Sequence, residues 1–319
     1  MNRCPITYEE CGVCPYSQRG LHLLNKKLSN LKPFPLTASE QRREALVRAG
    51  KISIQGVQPK LSARLSVKGS VFQIVDKGGH YILKPQHSTY PELPENECLT
   101  MHLADIACLN VPLNGLVYSK DDTLIYFIRR FDRAGKARKL ATEDFAQLSG
   151  KDRDTKYSFS MERIIALLEQ HCTFPAVEKA KLFRRSLFSF LIGNEDMHLK
   201  NFSLIRHDDM IELSPMYDSL NTTIAFQAMG KPLEEIEELA LPLRGKKQRL
   251  TRKDWIDYFG RDILQLTTKV INDCLQTFAA SVPEWHGLIT ISFLSDPMKT
   301  LYSELLQRRC AVLQLRTKL

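Results

Sequence analysis

Between Gly193 and Leu204 the chain reads GNEDMHLKNFSL, which crowds two carboxylates, a histidine, a lysine and two carboxamides into nine positions, 193–201. Asp196 and Asn201 stand five apart, in D-x-x-x-x-N. Asn201 opens a strand, FSLI. After a turn at RHDD, a second strand, IELSPM, runs back toward Tyr217 and Asp218. In an antiparallel hairpin the start of one strand lies beside the end of the other, so Asp218 is expected next to Asn201. A carboxylate and a carboxamide oxygen converging there make a hard, oxygen-rich site of the kind Mg²⁺ takes. Asp196 is left to orient or deprotonate a hydroxyl, and Lys200 to neutralise phosphate charge. This is the equipment of phosphoryl transfer.

Two further parts lie upstream. Lys84 ends the strand YILK, and Glu97 follows thirteen residues later on a helix. An ion pair between them would fix a phosphate-cradling lysine, although Glu97 also suits a first helical turn through the helix dipole alone. The stretch SIQGVQPK, 53–60, is a turn between strands that could cover phosphates with backbone N–H groups. Its single glycine, Gly56, makes it neither a Walker A loop nor the usual glycine-rich loop. D-x-x-x-x-N by itself is a chance pattern, and a lysine at a strand end is usually solvated. What carries the reading is the order: covering loop, lysine strand, glutamate helix, helices, Asp/Asn loop, hairpin, Asp. His198 is read as orienting the loop rather than carrying protons.

The elements that must position these residues follow from local patterns. Thr37 and Glu40 form a capping box before a helix that stops at Gly50. A strand-rich block follows, with a hairpin, VFQIV-DKGG-HYILKP, turned at Gly78 and Gly79. NECLTMHLADIACLN is an amphipathic helix, and LNGLVYSKDDTLIYFIRRFDR a second hairpin. From about 140 the pattern is helical, in ATEDFAQLSG, SMERIIALLEQH and PAVEKAKLFRRSLFSFLIG, and again after the Asp/Asn loop. The expected class is α+β. An N-terminal extension spans 1–50, a small strand-rich lobe 51–136 and a larger helical lobe 137–319.

Composition narrows the setting. The 319 residues suffice for a sizeable core, and 43% apolar with 25% charged is ordinary for a water-soluble fold. No apolar run has the length of a membrane span, and the first residues hold no secretory apolar core. Eight cysteines without an export signal suit a reduced, bacterial cytoplasmic protein, with delivery into a host cell left open. Cys4, Cys11 and Cys14 form C-x6-C-x2-C. A structural zinc wants four ligands, and a fourth is not evident, although His22 is near. The net charge is +9, but only RGKKQRLTRK, 244–253, is a dense basic run. It reads first as a solvated loop. The alternative, a nucleic-acid-binding module, lacks helix-turn-helix or zinc-finger spacing. A small-molecule kinase of the aminoglycoside or lipid type is the alternative among enzymes.

GNEDMHLKNFSL and SPMYDSLN, with SIQGVQPKLSA, RRFDR and PENECLTMHLA, resemble the HipA-like serine/threonine kinases of bacterial toxin–antitoxin systems, over residues from about 50 to 315. The resemblance implies a two-lobed, protein-kinase-like fold and dependence on ATP and Mg²⁺. It implies Asp196 as catalytic base and Asn201 and Asp218 as magnesium ligands. It assigns Lys84, held by Glu97, to the ATP phosphates and Gln55, Gly56, Val57, Gln58 and Lys60 to the covering loop. Arg129, Arg130 and Phe131 become the hinge against adenine, and His198, Lys200 and Tyr217 line the nucleotide site. The family hinge usually begins with Glu; Arg129 stands there, so adenine recognition would fall to backbone. Only 52 residues precede the covering motif, which is more similar to the short HipT subclass. That subclass implies a small HipS-like protein completing the strand lobe and a HipB-like DNA-binding antitoxin. It also implies an aminoacyl-tRNA synthetase substrate, tryptophanyl favoured. HipT relatives often read S-I-S in the covering motif; with Gln55 in the second place, Ser53 is the remaining site for self-phosphorylation.

Overall fold

The computed structural model describes residues 1–49, 58–135, 138–152 and 154–315. The chain divides into two compact units. The first comprises Met1–Leu99, Pro112–Arg133 and Ile291–Leu294, the second Thr100–Val111, Ala134–Thr290 and Ser295–Leu319.

The first unit is built on an antiparallel five-stranded sheet. Its strands run in the order Val71–Ile74, Leu61–Ser66, Tyr81–Lys84, Leu124–Arg129, Asn114–Tyr118. The hairpin expected between VFQIV and HYILKP does not form. Val71–Ile74 pairs instead with Leu61–Ser66, and Tyr81–Lys84 lies on the other side of that strand, with Leu61 opposite Leu83. The glycines explain the difference. A Cβ on Gly79 would stand 2.1 Å from Ser62 Oγ, so the DKGG stretch passes close against the intervening strand Leu61–Ser66 rather than reversing beside Val71–Ile74. The His80 N–H then donates to the Ala63 carbonyl at 3.0 Å. The real turn is at 67–70, where Ser66 Oγ accepts the Gly69 N–H at 3.2 Å.

One sheet face buries Leu61, Ala63, Phe72, Tyr81, Leu83, Val117, Ile125 and Phe127. The residues packed on it come from the N-terminal segment: Cys4, Ile6, Tyr16, Leu21, Leu24, Leu28, Leu31 and Phe34. Apart from the helix Gln18–Leu24 and a short ribbon of Asn2–Arg3 with Glu10–Gly12, this segment is irregular. It also covers the outer edge of Asn114–Tyr118: Leu116 N–H donates to the Pro5 carbonyl at 2.9 Å, and Tyr118 N–H to Tyr16 Oη at 3.1 Å. An exposed edge would invite pairing with another chain; here the chain supplies the cover. The helix Ala38–Ala49 starts as the capping box requires, with Thr37 N–H donating to Glu40 at 2.8 Å and Glu40 N–H to Thr37 Oγ1 at 3.3 Å.

The second unit is mostly helical around a three-stranded sheet of Thr142–Asp144, Ser203–His207 and Met210–Leu213. Thr142–Asp144 was expected to be helical. It pairs with Ser203–Ile205, and the helix shrinks to Phe145–Leu148, capped by Asp144 and Gln147. The buried rings of Phe145 and Phe202 stack at 5.7 Å, an aromatic contact that supports this arrangement. The helix Pro175–Leu191 is the centre of the unit. Every residue from Ser186 to Leu191 is buried, Phe188 against Phe278 and Trp285, and Phe190 against Trp255. The run SLFSFLI is thus a helix surrounded on all sides, each large side chain contributing about 1.5–3 kcal/mol on burial. Asp254–Ile263 winds as a wide π-type helix, followed by Thr268–Ile291 and Asp296–Leu313. Among the described residues no helix is long and apolar enough to cross a membrane.

Candidate active site

The catalytic-loop candidates follow directly from the buried helix Pro175–Leu191. The chain turns out of it at Gly193, whose φ is +72°. A Cβ there would lie 2.3 Å from Leu305 Cδ2 and 2.8 Å from Asn221 Oδ1, so both backbone and space demand glycine. The Gly193 carbonyl accepts from the hydroxyls of Thr222 and Thr223, at 3.2 and 3.0 Å. Asn194 is fully buried and ties two segments together. Its Oδ1 accepts the Asp196 N–H at 3.1 Å, and its Nδ2 donates to Ser219 Oγ at 3.4 Å. The loop that carries Asp196 is thereby fastened to the residue after Asp218. Asn194 has no role in the sequence reading; its place beside the D-x-x-x-x-N motif was the available signal.

Asp196 is 42% exposed and accepts the Tyr157 hydroxyl on Oδ1 at 2.6 Å. Asn201 is buried in a single turn of 3-10 helix, Leu199–Asn201, rather than at the head of a strand. Its Nδ2 donates to the Asp196 carbonyl at 2.7 Å, which leaves Oδ1 as the oxygen available to a cation. Past the hairpin, Ser214 N–H donates to the Ser203 carbonyl at 2.9 Å, and Tyr217 Oη donates to the Lys200 carbonyl at 2.9 Å. These bonds return the chain to the loop just before Asp218, which takes a left-handed conformation with φ +50°. Such backbone is uncommon outside glycine, and aspartate is among the residues that tolerate it.

An Asn oxygen and one carboxylate fit Mg²⁺ of the kind that is held by one or two protein groups while nucleotide phosphates and water complete its shell. They do not fit a cation caged by protein alone. Among the described residues no cluster of three or more His, Cys, Asp or Glu is placed to hold a metal, and this includes Cys4, Cys11, Cys14 and His22.

The remaining loop residues divide by environment. His198 is buried, which holds its pKa below the usual value, with Lys156 acting in the same direction. Burial, then the charge of Asp196, pushes the Glu195 carboxyl up to about 7. Lys200 is partly exposed and pairs with Asp144 at 3.4 Å. Tyr217 is half-buried, its hydroxyl also bonded to Ser203, so it supports the loop. The first three basic residues of the run pair with local carboxylates: Arg244 and Lys246 with Asp254, and Lys247 with Glu237.

In the first unit Lys84 ends its strand fully buried and pairs with Glu97 of the helix Leu93–Ile106. Its ammonium also lies 5.5 Å from the centre of the Tyr126 ring. Arg129 is exposed, whereas Arg130 is bound to Asp132 by two hydrogen bonds, at 3.0 and 2.9 Å. Phe131 is half-buried. Gln58 and Lys60 are half-buried, and Gln58 Nε2 has no hydrogen-bond partner among the described residues. Ser53, Gln55, Gly56 and Val57 lie outside the described residues.

Comparison with known proteins decides the family. The HipA-like C-terminal domain matches residues 52–285. The chain belongs to the HipA-like kinase family. A Haemophilus influenzae protein with a provisional kinase name is 32% identical over 273 residues, covering 78% of this chain and 75% of that one. The serine/threonine-protein kinase toxin HipA of Shewanella oneidensis is 28% identical over 188 residues, 53% of this HipA-like chain and 42% of the toxin. The solved Shewanella oneidensis HipA, in complex with HipB and its operator DNA, superimposes with a TM-score of 0.68 at 22% identity. That match covers 88% of this chain and 73% of that one. The fold is accordingly α+β, two-lobed and kinase-like.

Proposed function

We propose that this HipA-like kinase transfers the γ-phosphoryl group of ATP, with Mg²⁺, to a serine or threonine of a protein. The observation that carries the reading is the fastening of Asp196, Asn201 and Asp218 into one small region by Asn194 and the returning hairpin. In this reading Asp196 aligns the acceptor hydroxyl and takes its proton as the oxygen attacks the γ-phosphorus and ADP leaves. Asn201 Oδ1 and Asp218 hold Mg²⁺, which supplies charge neutralisation on the phosphates. Lys84, kept straight by Glu97, is assigned to the ATP phosphates, and Gln58 and Lys60 to the covering loop. The kinase name and serine/threonine specificity of the Shewanella toxin support the substrate class.

The wider setting belongs to the same proposal. A HipB-like antitoxin is the expected partner, since the Shewanella HipA is solved with HipB and DNA. The chain would act as a toxin in the bacterial cytoplasm, on an aminoacyl-tRNA synthetase, tryptophanyl first. We do not extend the proposal to a small HipS-like partner, because residues 1–36 already occupy the sheet face and edge that motivated one. Incubation with γ-labelled ATP, Mg²⁺ and a bacterial lysate is expected to label a small set of proteins, with a synthetase among them. No transfer to any protein, in the presence of bound nucleotide, would sink the kinase reading.

Self-phosphorylation at Ser53 is part of the proposal. A phosphate there would add about −1.5 to −2 charges to a loop meant to cover phosphates, and would switch transfer off by repulsion. Mass spectrometry is expected to find phosphate on Ser53 in the active protein and none in Asp196→Asn. Phosphate in both, in the absence of other kinases, would exclude self-modification.

A further inference from the structure

The catalytic loop is gripped by two consecutive residues that no motif marks. Tyr157 Oη donates to Asp196 Oδ1 at 2.6 Å. Its ring meets the His198 ring edge-on, with centres 5.1 Å apart. Lys156 Nζ lies 2.7 Å from His198 Nε2 and 4.8 Å from the centre of the Tyr157 ring. The Lys156 carbonyl accepts the Leu199 N–H at 3.4 Å. Four groups on one dipeptide thus reach three residues of one loop.

We infer that Lys156 and Tyr157 are positioning residues for phosphoryl transfer, which fix the rotamer of Asp196 and the ring of His198; this rests on the reading of Asp196 as the base. An aspartate that is 42% exposed has a loosely held carboxylate unless something pins it. Tyr157 pins one oxygen, and no described residue bonds the other. The carboxylate then presents Oδ2, in a fixed direction, to an acceptor hydroxyl. Burial, and then the bond to Asp196, raise the Tyr157 pKa above its ordinary value, so the phenol remains a proton donor in this contact.

Lys156 decides what His198 can do. An ammonium only donates, so His198 Nε2 accepts and its ring proton sits on Nδ1. Nδ1 is buried and has no hydrogen-bond partner among the described residues. The one basic nitrogen of His198, which stands 3.8 Å from Asp196 Oδ1, is occupied. His198 therefore cannot remove the acceptor proton in this arrangement. It acts as a spacer that carries the grip of Lys156 to the loop, and the base role falls to Asp196 alone.

Tyr157→Phe keeps the ring against His198 and deletes only the hydroxyl. It is expected to lower kcat about 10- to 100-fold, the range of a small misplacement of a reacting group, with KM for ATP, nucleotide affinity and melting midpoint close to the parent. Lys156→Met is expected to behave alike, and Lys156→Arg to recover a large part of kcat. In an Asp196→Asn background, Tyr157→Phe is expected to add no further loss, since it acts through that carboxylate. A parental kcat in Tyr157→Phe would overturn the inference. So would the same fold-loss with and without Asp196, or a kcat loss matched by equal losses of ATP affinity and melting midpoint. In each of these cases the parent chain still transfers phosphate and the kinase reading stands. A parent chain that transfers none removes the kinase reading and this inference together.

Discussion

Asp196→Asn is expected to remove most turnover, by about 10²- to 10⁴-fold, the range of a positioned acid or base. Fold and nucleotide binding should survive. The substitution is isosteric, and the Asn194 and Asn201 bonds in this loop go to the backbone N–H and carbonyl of residue 196, which do not change. An asparagine oxygen can still accept the Tyr157 hydroxyl, so the grip on the side chain also remains. What disappears is the anionic oxygen proposed to orient the attacking hydroxyl and receive its proton. Release of labelled phosphate to protein, set beside calorimetric ATP affinity and melting midpoint, separates the two effects. Transfer at the parental rate would show that Asp196 is not the base. A collapse of the melting midpoint would show instead that the carboxylate is structural.

The second large effect is on stability. Lys84 and Glu97 are paired with side-chain exposures of 2% and 0%. A buried ion pair is weak evidence of net stabilisation, because both charges give up their hydration. Removing one partner is a different matter, since it unbalances a buried charge and costs about 3–5 kcal/mol. Glu97→Ala is therefore expected to lower the melting midpoint by roughly 10 °C and to impair turnover. The double variant Lys84→Met with Glu97→Leu should recover most of the stability and none of the activity, because the burial cost is gone but so is the phosphate lysine. A double variant as unstable as Glu97→Ala would mean that packing, not the unbalanced charge, explains the loss. A double variant with parental turnover would end the assignment of Lys84 to ATP.

Much of the site is local, and local features are legible. Asp196 and Asn201 lie five residues apart on one turn, and their bond follows from that spacing. A hairpin returns its second strand to the start of the first, which is why Asp218 could be placed near the loop. The Thr37–Glu40 box and the Asn114–Tyr118 with Leu124–Arg129 hairpin form as their patterns require. In each case the interacting groups are close along the chain, so little entropy is lost in bringing them together, and residue type at short spacing carries the information.

Other features depend on contacts that no local spacing records. Val71–Ile74 and Tyr81–Lys84 are neighbours in sequence, yet the buried strand Leu61–Ser66 lies between them. It pairs on both of its sides, and Gly79 permits the crossing. Thr142–Asp144 became a strand because Ser203–Ile205 offered it an edge. Residues 1–34 carry little regular pattern beyond one short helical stretch, but their apolar side chains find the face of the sheet. Tyr157 reaches Asp196 across 39 positions, and Lys156 reaches His198 across 42. The sequence by itself determined which reactive side chains are available to this protein: two aspartates, an asparagine and a lysine with its glutamate partner, each in a recognisable local frame. Only the tertiary structure decided which strands adjoin, what covers the sheet and what holds Asp196 in place, because those outcomes are set by the surface that distant segments bury against one another.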